Sequence, residues 1–582
     1  MMSVPTGASR TSVVRAGSAA LCLVVCLWSA AEQRRAEPVG PTRGGRIVVA
    51  ERTPPSTFNP VLAADAQTHA VLDPLFADLV HINRQTLKTE PALASSWSVS
   101  KDGLDYTIKL RPDLKFSDGH PCTADDVVFS FNVYLDESVH APQRDLLLVG
   151  GKPIDVRKKD DQTILVKMPE PYAVGERIFD SIAILPKHVL GEAFASGALP
   201  RTWGVAAPPE SIIGTGPFRL QENVPGERIV LTRNPHYWKR DGDGGALPYV
   251  DQLVFVTVPS SDAEFLRLRA GEVDIMSRLT GDQFASLSSG SGYQTADAGP
   301  SLEYNFLFFN LTDVNAATLT ALANRQRWFR QEAFRHALSA AIDRAAIVSI
   351  VYRGRGEPLW GPVTRGNRTW YNSALPRPAR SLERARSLLK EAGFSWRDDG
   401  VLQDQDARPV EFSVLVQATS IPRKQMATII LDDLAQLGIR VTIVPLDSRA
   451  VLDRVQKTRD YDACILGLGG ADADPNVDMP VWLSSGDHHF WNPAAAKPAT
   501  PWEEEIDSLM RQQMSARTFA DRKTLFDRVQ ALIAQHEPMI FLASPDILAG
   551  ARAGLANFKP AILPHYTLWN VDELYWRHPP GR

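Results

Sequence analysis

The stretch from Pro91 to Phe131 constrains this chain more than any other, because it compresses strand, turn, strand, turn and capped helix into one short run. Tyr106, Ile108 and Leu110 alternate with Thr107 and Lys109, the period of two of a half-buried strand. Asp102 and Gly103 turn the chain into that strand, and Arg111, Pro112 and Asp113 interrupt it. Leu114 to Phe116 reads as a short second extended piece, and Ser117, Asp118 and Gly119 read as a further turn. Thr123 stands three residues before Asp126, the spacing at which two side chains satisfy each other's orphan backbone donors. Val127, Val128, Phe131, Tyr134 and Leu135 then share one helical face, so a helix is predicted there. None of these residues forms a reactive set, and their meaning is architectural.

A chain of 582 residues, 44% of them hydrophobic and 22% charged, is too long for one hydrophobic core, so two or more lobes are predicted. The formal net charge of −4 offers no electrostatic grip on nucleic acid, which is excluded as a partner. Arg10 and Arg15 precede an apolar run from Ala16 to Ala31 that ends in Glu32, Gln33 and Arg34, the pattern of a secretory signal peptide. Ser29 and Ala31 are the small residues that point to cleavage after Ala31, with Ala36 as the alternative. A run of about 16 apolar residues is short of the ~20 that span a bilayer. Lipid anchoring at Cys22 or Cys26 is disfavoured, because Leu21 and Val25 precede them where a small residue is needed. Only Cys122 and Cys464 then remain, far apart in sequence, and two unpaired buried thiols are expected.

Beyond a linker at residues 32–44, the segment RIVVAERTPPSTFNP reads as a strand and loop. Thr163 to Val166 and Ile178 to Leu185 are apolar pieces, and the word GTGPF (Gly214 to Phe218) precedes strand candidates at Arg228 to Thr232 and Gln252 to Val258. AGEVDI (Ala270 to Ile275) closes this part, and a second region opens at Tyr304 with the apolar run NFLFFN. There Phe334, Ala337, Leu338, Ala341 and Ile342 share a helical face, Asp343 caps the next helix, and Gly393 stops a helix over Ser381 to Ala392. Met426 to Leu437 is helical up to Gly438, after which Ile439, Val441 and Ile443 alternate as a strand. Helix followed by strand, repeated, predicts an α/β fold. Glu503 to Gln535 is helical by composition, and Pro538 to Leu542 begins a short extended piece.

Catalytic and cofactor motifs fail on inspection. Gly151 and Lys152 are followed by Pro153 where a phosphate loop needs Ser or Thr, and Ile540 stands where His536 and Glu537 would need a second histidine. Asp241 and Asp243 lie in a glycine-rich loop, but Gln252 occupies the position of a calcium loop's bidentate Glu. Adjacent His488 and His489 point too far apart to share a metal. No GxSxG elbow occurs. Neither catalytic residue, metal nor cofactor is predicted.

The string PALASSWSVSKDGLDYTIKLRPDLKFSDGHPCTADDVVFSF closely resembles the long motif of family 5 extracytoplasmic solute-binding proteins, the periplasmic dipeptide- and oligopeptide-binding proteins and their relatives. The order of GTGPF, RNPHYW and AGEVDI also agrees with that family. The resemblance implies a two-lobed α/β periplasmic binding protein fold (type II, cluster C) with an extra subdomain in the first lobe. On that reading residues 1–31 are signal peptide, 45–302 the first lobe with its subdomain at about 76–209, 303–540 the second lobe, and 541–582 a return to the first. It further implies a monomer that captures a peptide or peptide-like solute between hinged lobes and delivers it to the permease subunits of an ABC importer.

Family members with peptide ligands use an Asp in a D-x-x-D-P or related loop to meet the ligand's amino group, and in GGADADP the match is Asp472. A loop-capping role is the alternative for that residue. Gly469 stands three residues earlier, where many peptide binders have Trp. Tyr304, Asn305 and Asn310 at the lobe crossing, Trp360 and Arg365 in EPLWGPVTRG, and Trp491 and Asn492 in HHFWNP are the other pocket candidates, the aromatic ones competing with core roles. Two alternatives to an importer component stand beside this reading. One is a secreted hydrolase using Asp472 and Asp474 as paired carboxylates; the other is a sensory or chaperone-like protein that feeds no importer.

Overall fold

A computed structural model of the chain describes residues 40–578 apart from Ser181, Asn315 and Ala471. The predicted signal peptide, with Cys22 and Cys26, and most of the linker lie outside the described residues.

The alternation read at Tyr106 becomes the strand Asp105–Leu110, in which Tyr106, Ile108 and Leu110 are buried. It pairs antiparallel with Ala94–Val99 on one side and Thr163–Lys167 on the other, and Asp155–Asp160 completes a four-stranded sheet. The helix Ala124–Leu135 follows the predicted capping box, with the Thr123 amide donating to Asp126 Oδ2 at 2.9 Å. Leu114 to Phe116 does not form the second strand expected of it. Gly119, at φ +90°, turns the chain straight back, the Phe116 amide bonds to the His120 carbonyl, and only the bridge Lys115 to Pro121 survives.

The dominant feature is a twelve-stranded mixed sheet. In the first lobe, Arg46–Glu51 runs parallel to Gln252–Thr257, which pairs antiparallel with Arg228–Arg233, and that with Phe218–Val224. In the second lobe, Tyr304–Phe309 pairs with Ala463–Leu468, and Glu411–Gln417 lies parallel to both Ala463–Leu468 and Arg440–Leu446. Every residue of Tyr304–Phe309 is buried, since helices cover both faces: Leu307 and Phe309 enter one core, and Tyr304, Phe306 and Phe308 the other. The predicted helices there form at Arg344–Val351, with Asp343 Oδ1 accepting from the Ala346 amide, at Leu382–Glu391 and at Ile421–Ala435. The tail is two helices, Pro501–Ser515 and Phe519–His536. Cys122 and Cys464 are unpaired and buried.

One strand joins the lobes. The piece expected to be short at Pro538 to Leu542 is a fourteen-residue strand, Met539–Arg552, that pairs with Phe306 through Phe541 and with Ile275 through Ala551. It therefore belongs to the sheets of both lobes.

Candidate functional site

Between the lobes lies a cleft of about 1340 Å³, lined from both sides. Three of its charged lining residues stand just where strands end. Glu51 closes Arg46–Glu51, Arg278 follows Ile275–Met276, and Arg423 stands in the first turn of Ile421–Ala435 just after Glu411–Gln417. Open α/β sheets bind ligands outside the carboxyl ends of their strands, and this cleft follows that rule.

Where the two lobes meet, Arg278, which follows the first-lobe strand Ile275–Met276, converges with Glu303 and Arg423 of the second lobe. The Glu303 carboxylate lies 3.4 Å from Arg278 Nη2 and 4.0 Å from Arg423 Nη2, so two guanidinium groups share one carboxylate. Arg278 also donates to Tyr566 Oη at 3.0 Å and lies over that ring. Arg423 Nε donates to Asn305 Oδ1 at 3.1 Å, and Asn305 Nδ2 donates to Tyr352 Oη at 3.1 Å and to the Ala543 carbonyl at 3.3 Å. Gly467 makes this packing possible: a Cβ there would come within 2.5 Å of Arg423 Nη2 and 2.6 Å of Asn305 Oδ1.

The first-lobe side of the cleft carries acidic groups. Burial and the neighbouring Glu264 push the Glu51 carboxyl up to about 8, with Arg52 opposing. Burial pushes Glu264 up to about 7, again against Arg52. Asp73 goes the other way: burial would raise it, but His565 at 2.7 Å and His69 at 3.7 Å hold it well below the usual carboxylate range. Asp78, His81 and Asp180 bring ligand atoms within 4.8 Å of one another, yet the Arg84 guanidinium, 3.3 Å from Asp180, already supplies the positive charge there. Burial pushes His81 down to about 4, with Asp180 opposing.

Of the eight residues singled out from the sequence, Asn305 lines this cleft. Asp472 is paired with Arg177 through a bidentate contact, Nε to Oδ2 at 2.6 Å and Nη2 to Oδ1. Its neighbour Asp474 caps the turn Pro475–Asp478 and is clasped by Arg522 in two bonds of 2.8 Å. Tyr304 is packed among Phe306 and Phe541, and Asn310 donates to the Arg459 and Tyr461 carbonyls. Trp360 lies under the Arg344 guanidinium, and Arg365 is exposed and paired with Glu357 at 3.0 Å. Trp491 is buried and donates to Glu503 at 2.9 Å, and the Asn492 amide bonds to the His489 carbonyl. Sequence reasoning passed over Glu51, Arg278, Glu303 and Arg423. Glu51 stands at the end of the strand read in RIVVAERTPPSTFNP, which was the available signal for it, and no comparable local signal marked the other three.

Residues 88–490 match the family described as bacterial extracellular solute-binding proteins, family 5 Middle. The chain belongs to that family. Among the relatives of this solute-binding protein, a probable ABC transporter-binding protein of Deinococcus radiodurans is 27% identical over 516 residues, 84% of this chain and 85% of that one. The oligopeptide-binding protein AppA of Bacillus subtilis is 26% identical over 553 residues, 92% of each chain. In structure, AppA from Bacillus subtilis in complex with a nonapeptide superposes with a TM-score of 0.70 at 24% identity, covering 92% of this chain and all of that one. The ABC transporter substrate-binding protein CtaP of Listeria monocytogenes gives a TM-score of 0.75 at 21% identity with the same coverage. These likenesses show the two-lobed fold. Among the described residues no helix is long and apolar enough to cross a membrane.

Proposed function

We propose that this solute-binding protein captures a peptide or peptide-like solute between its lobes and delivers it, unaltered, to the permease subunits of an ABC importer. The observation that carries the reading is the charge arrangement of the cleft. Arg278 and Arg423 exceed the one carboxylate they share, which suits a ligand carboxylate, while Glu51 and Glu264, elsewhere on the first-lobe wall, suit a ligand ammonium. A volume of about 1340 Å³ is above the ~300–1,000 Å³ of ordinary small-molecule sites and leaves room for several residues. The peptide-binding names of the relatives support the same class.

An enzymatic role finds little support, since the paired carboxylates Asp472 and Asp474 are each engaged by an arginine. We take the lobes as 45–302 and 303–540, with 541–582 returning to the first, the mature protein as a periplasmic monomer released by cleavage after Ala31, and nucleic acid as no partner at a net charge of −4. Native mass spectrometry of the purified protein, with identification of the released molecule, tests the function. An intact peptide is the expected result, and conversion of a bound compound into products overturns it.

A further inference from the structure

Asp472, whose loop suggested a ligand contact, is spent on a residue of the other lobe. Arg177 lies in the turn Gly175–Phe179, whose Ile178 and Phe179 sit in the first-lobe core. Asp472 follows the second-lobe strand Ala463–Leu468, and its loop is anchored there by the buried Asp474–Arg522 pair and by Asn367, which donates to the Ala473 carbonyl at 2.8 Å. Each partner is also fixed within its own lobe. Arg177 Nη1 donates to the Leu87 carbonyl at 3.0 Å, and Asp472 Oδ1 accepts from the Ala473 amide at 2.6 Å. Two more contacts cross the gap beside them. The Ala173 amide donates to the Met514 carbonyl at 2.8 Å, and Ile82 and Leu87 share a small apolar cluster with Ala473. Neither Arg177 nor Asp472 lines the cleft.

We infer that Arg177 and Asp472 form an interlobe clasp that sets the population of the closed state, and with it the affinity for every ligand, without touching any of them. Because each side chain is held by its own lobe, the pair breaks when the lobes separate and reforms when they meet. A contact present only in the closed state scales apparent affinity through the closed fraction, by the same factor for all ligands. The two are positioning residues. A ligand-contacting Asp472 would instead discriminate between ligands with and without a free amino group.

The test compares the mature wild-type protein with Arg177→Gln, Asp472→Asn and the charge swap Arg177→Asp/Asp472→Arg. Interlobe distances are measured by pulsed electron resonance between spin labels on Lys101→Cys and Lys390→Cys, both exposed sites, in ligand-free protein. Each single variant is expected to shift the distribution to longer separations, and the swap to restore it. Unshifted single variants overturn the clasp, and so do shifted single variants that a folded swap fails to restore. Should the swap not fold, the two single variants decide. Titration with trialanine and N-acetyl-trialanine adds a second readout, in which both lose affinity by an equal factor in each single variant. Selective loss of trialanine in Asp472→Asn places Asp472 on the ligand and overturns the proposal. The distance measurement needs no ligand, so its outcome stands whether or not the solute is a peptide.

Discussion

Ser301 and Ser544 lie side by side where the chain passes between the lobes, their Oγ atoms 3.3 Å apart, with the Ser301 amide donating to the Pro545 carbonyl at 2.9 Å. Thr364 Oγ1 donates to the Ser301 carbonyl at 2.6 Å and ties a second-lobe loop to the same point. Two crossing segments joined in this way leave the lobes able to pivot about a narrow strip of backbone, the usual basis of hinge closure.

Gly366 packs against that strip. A Cβ at this position would lie 2.0 Å from the Pro300 carbonyl oxygen, which is backbone and cannot swing aside. Gly366→Ala is therefore expected to displace the crossing segment and to destabilise the protein by about 1–3 kcal/mol. A lowered melting temperature together with a changed radius of gyration in small-angle scattering is the expected result. An unchanged pair of values would show that the crossing tolerates the displacement.

Arg423 is expected to hold a ligand carboxylate. Removing one charged hydrogen-bonding partner costs about 1.5–3 kcal/mol, so Arg423→Ala should weaken binding of the released peptide by roughly 10- to 150-fold. Its C-terminal amide should be affected much less. Isothermal titration with the acid and the amide separates the two cases, and equal losses would remove Arg423 from that role.

How far the sequence could be read differs between scaffold and site, and the reason is range. The helix after Thr123, the stop at Gly393 and the alternation of Tyr106, Ile108 and Leu110 each depend on neighbours within a few residues, and all appear as expected. Asp472 and Arg177 are 295 positions apart, and no local pattern marks one as the partner of the other. Asn305, Tyr304 and Asn310 were singled out together for their place at the lobe crossing, and of the three Asn305 lines the cleft. Trp491 sits in a loop rich in Gly and Pro, yet its indole points into the core and bonds Glu503, a direction that composition does not carry.

Asp474 and Arg522 test the structural role of the GGADADP loop. Both are buried, and breaking a buried pair by removing one partner costs about 3–5 kcal/mol. Asp474→Ala should lower the melting temperature strongly, and Asp474→Ala/Arg522→Met should recover part of the loss by removing the stranded charge. A Asp474→Ala variant of wild-type stability would mean that water replaces the carboxylate.

Glu51 and Glu264 give the stability of the ligand-free protein a definite pH slope. Their folded carboxyls titrate near 8 and 7, above the ordinary value of 4.5, so between about pH 4.5 and pH 8 the folded protein holds more protons than the unfolded chain. Their contribution is fully present below pH 4.5 and is lost as pH rises through 7 to 8, so stability falls over that window. Glu51→Gln/Glu264→Gln removes the titrating groups and should flatten the fall, leaving the variant more stable than wild type at pH 8.5. A bound ammonium has the opposite effect, favouring the ionised carboxylates, so affinity for a cationic solute should rise over the same range in the wild-type protein and stay level in the variant. Melting temperatures between pH 5 and pH 9, with and without the ligand recovered from the protein, check both arms. Parallel curves for wild type and variant would show that the two carboxyls titrate outside this window.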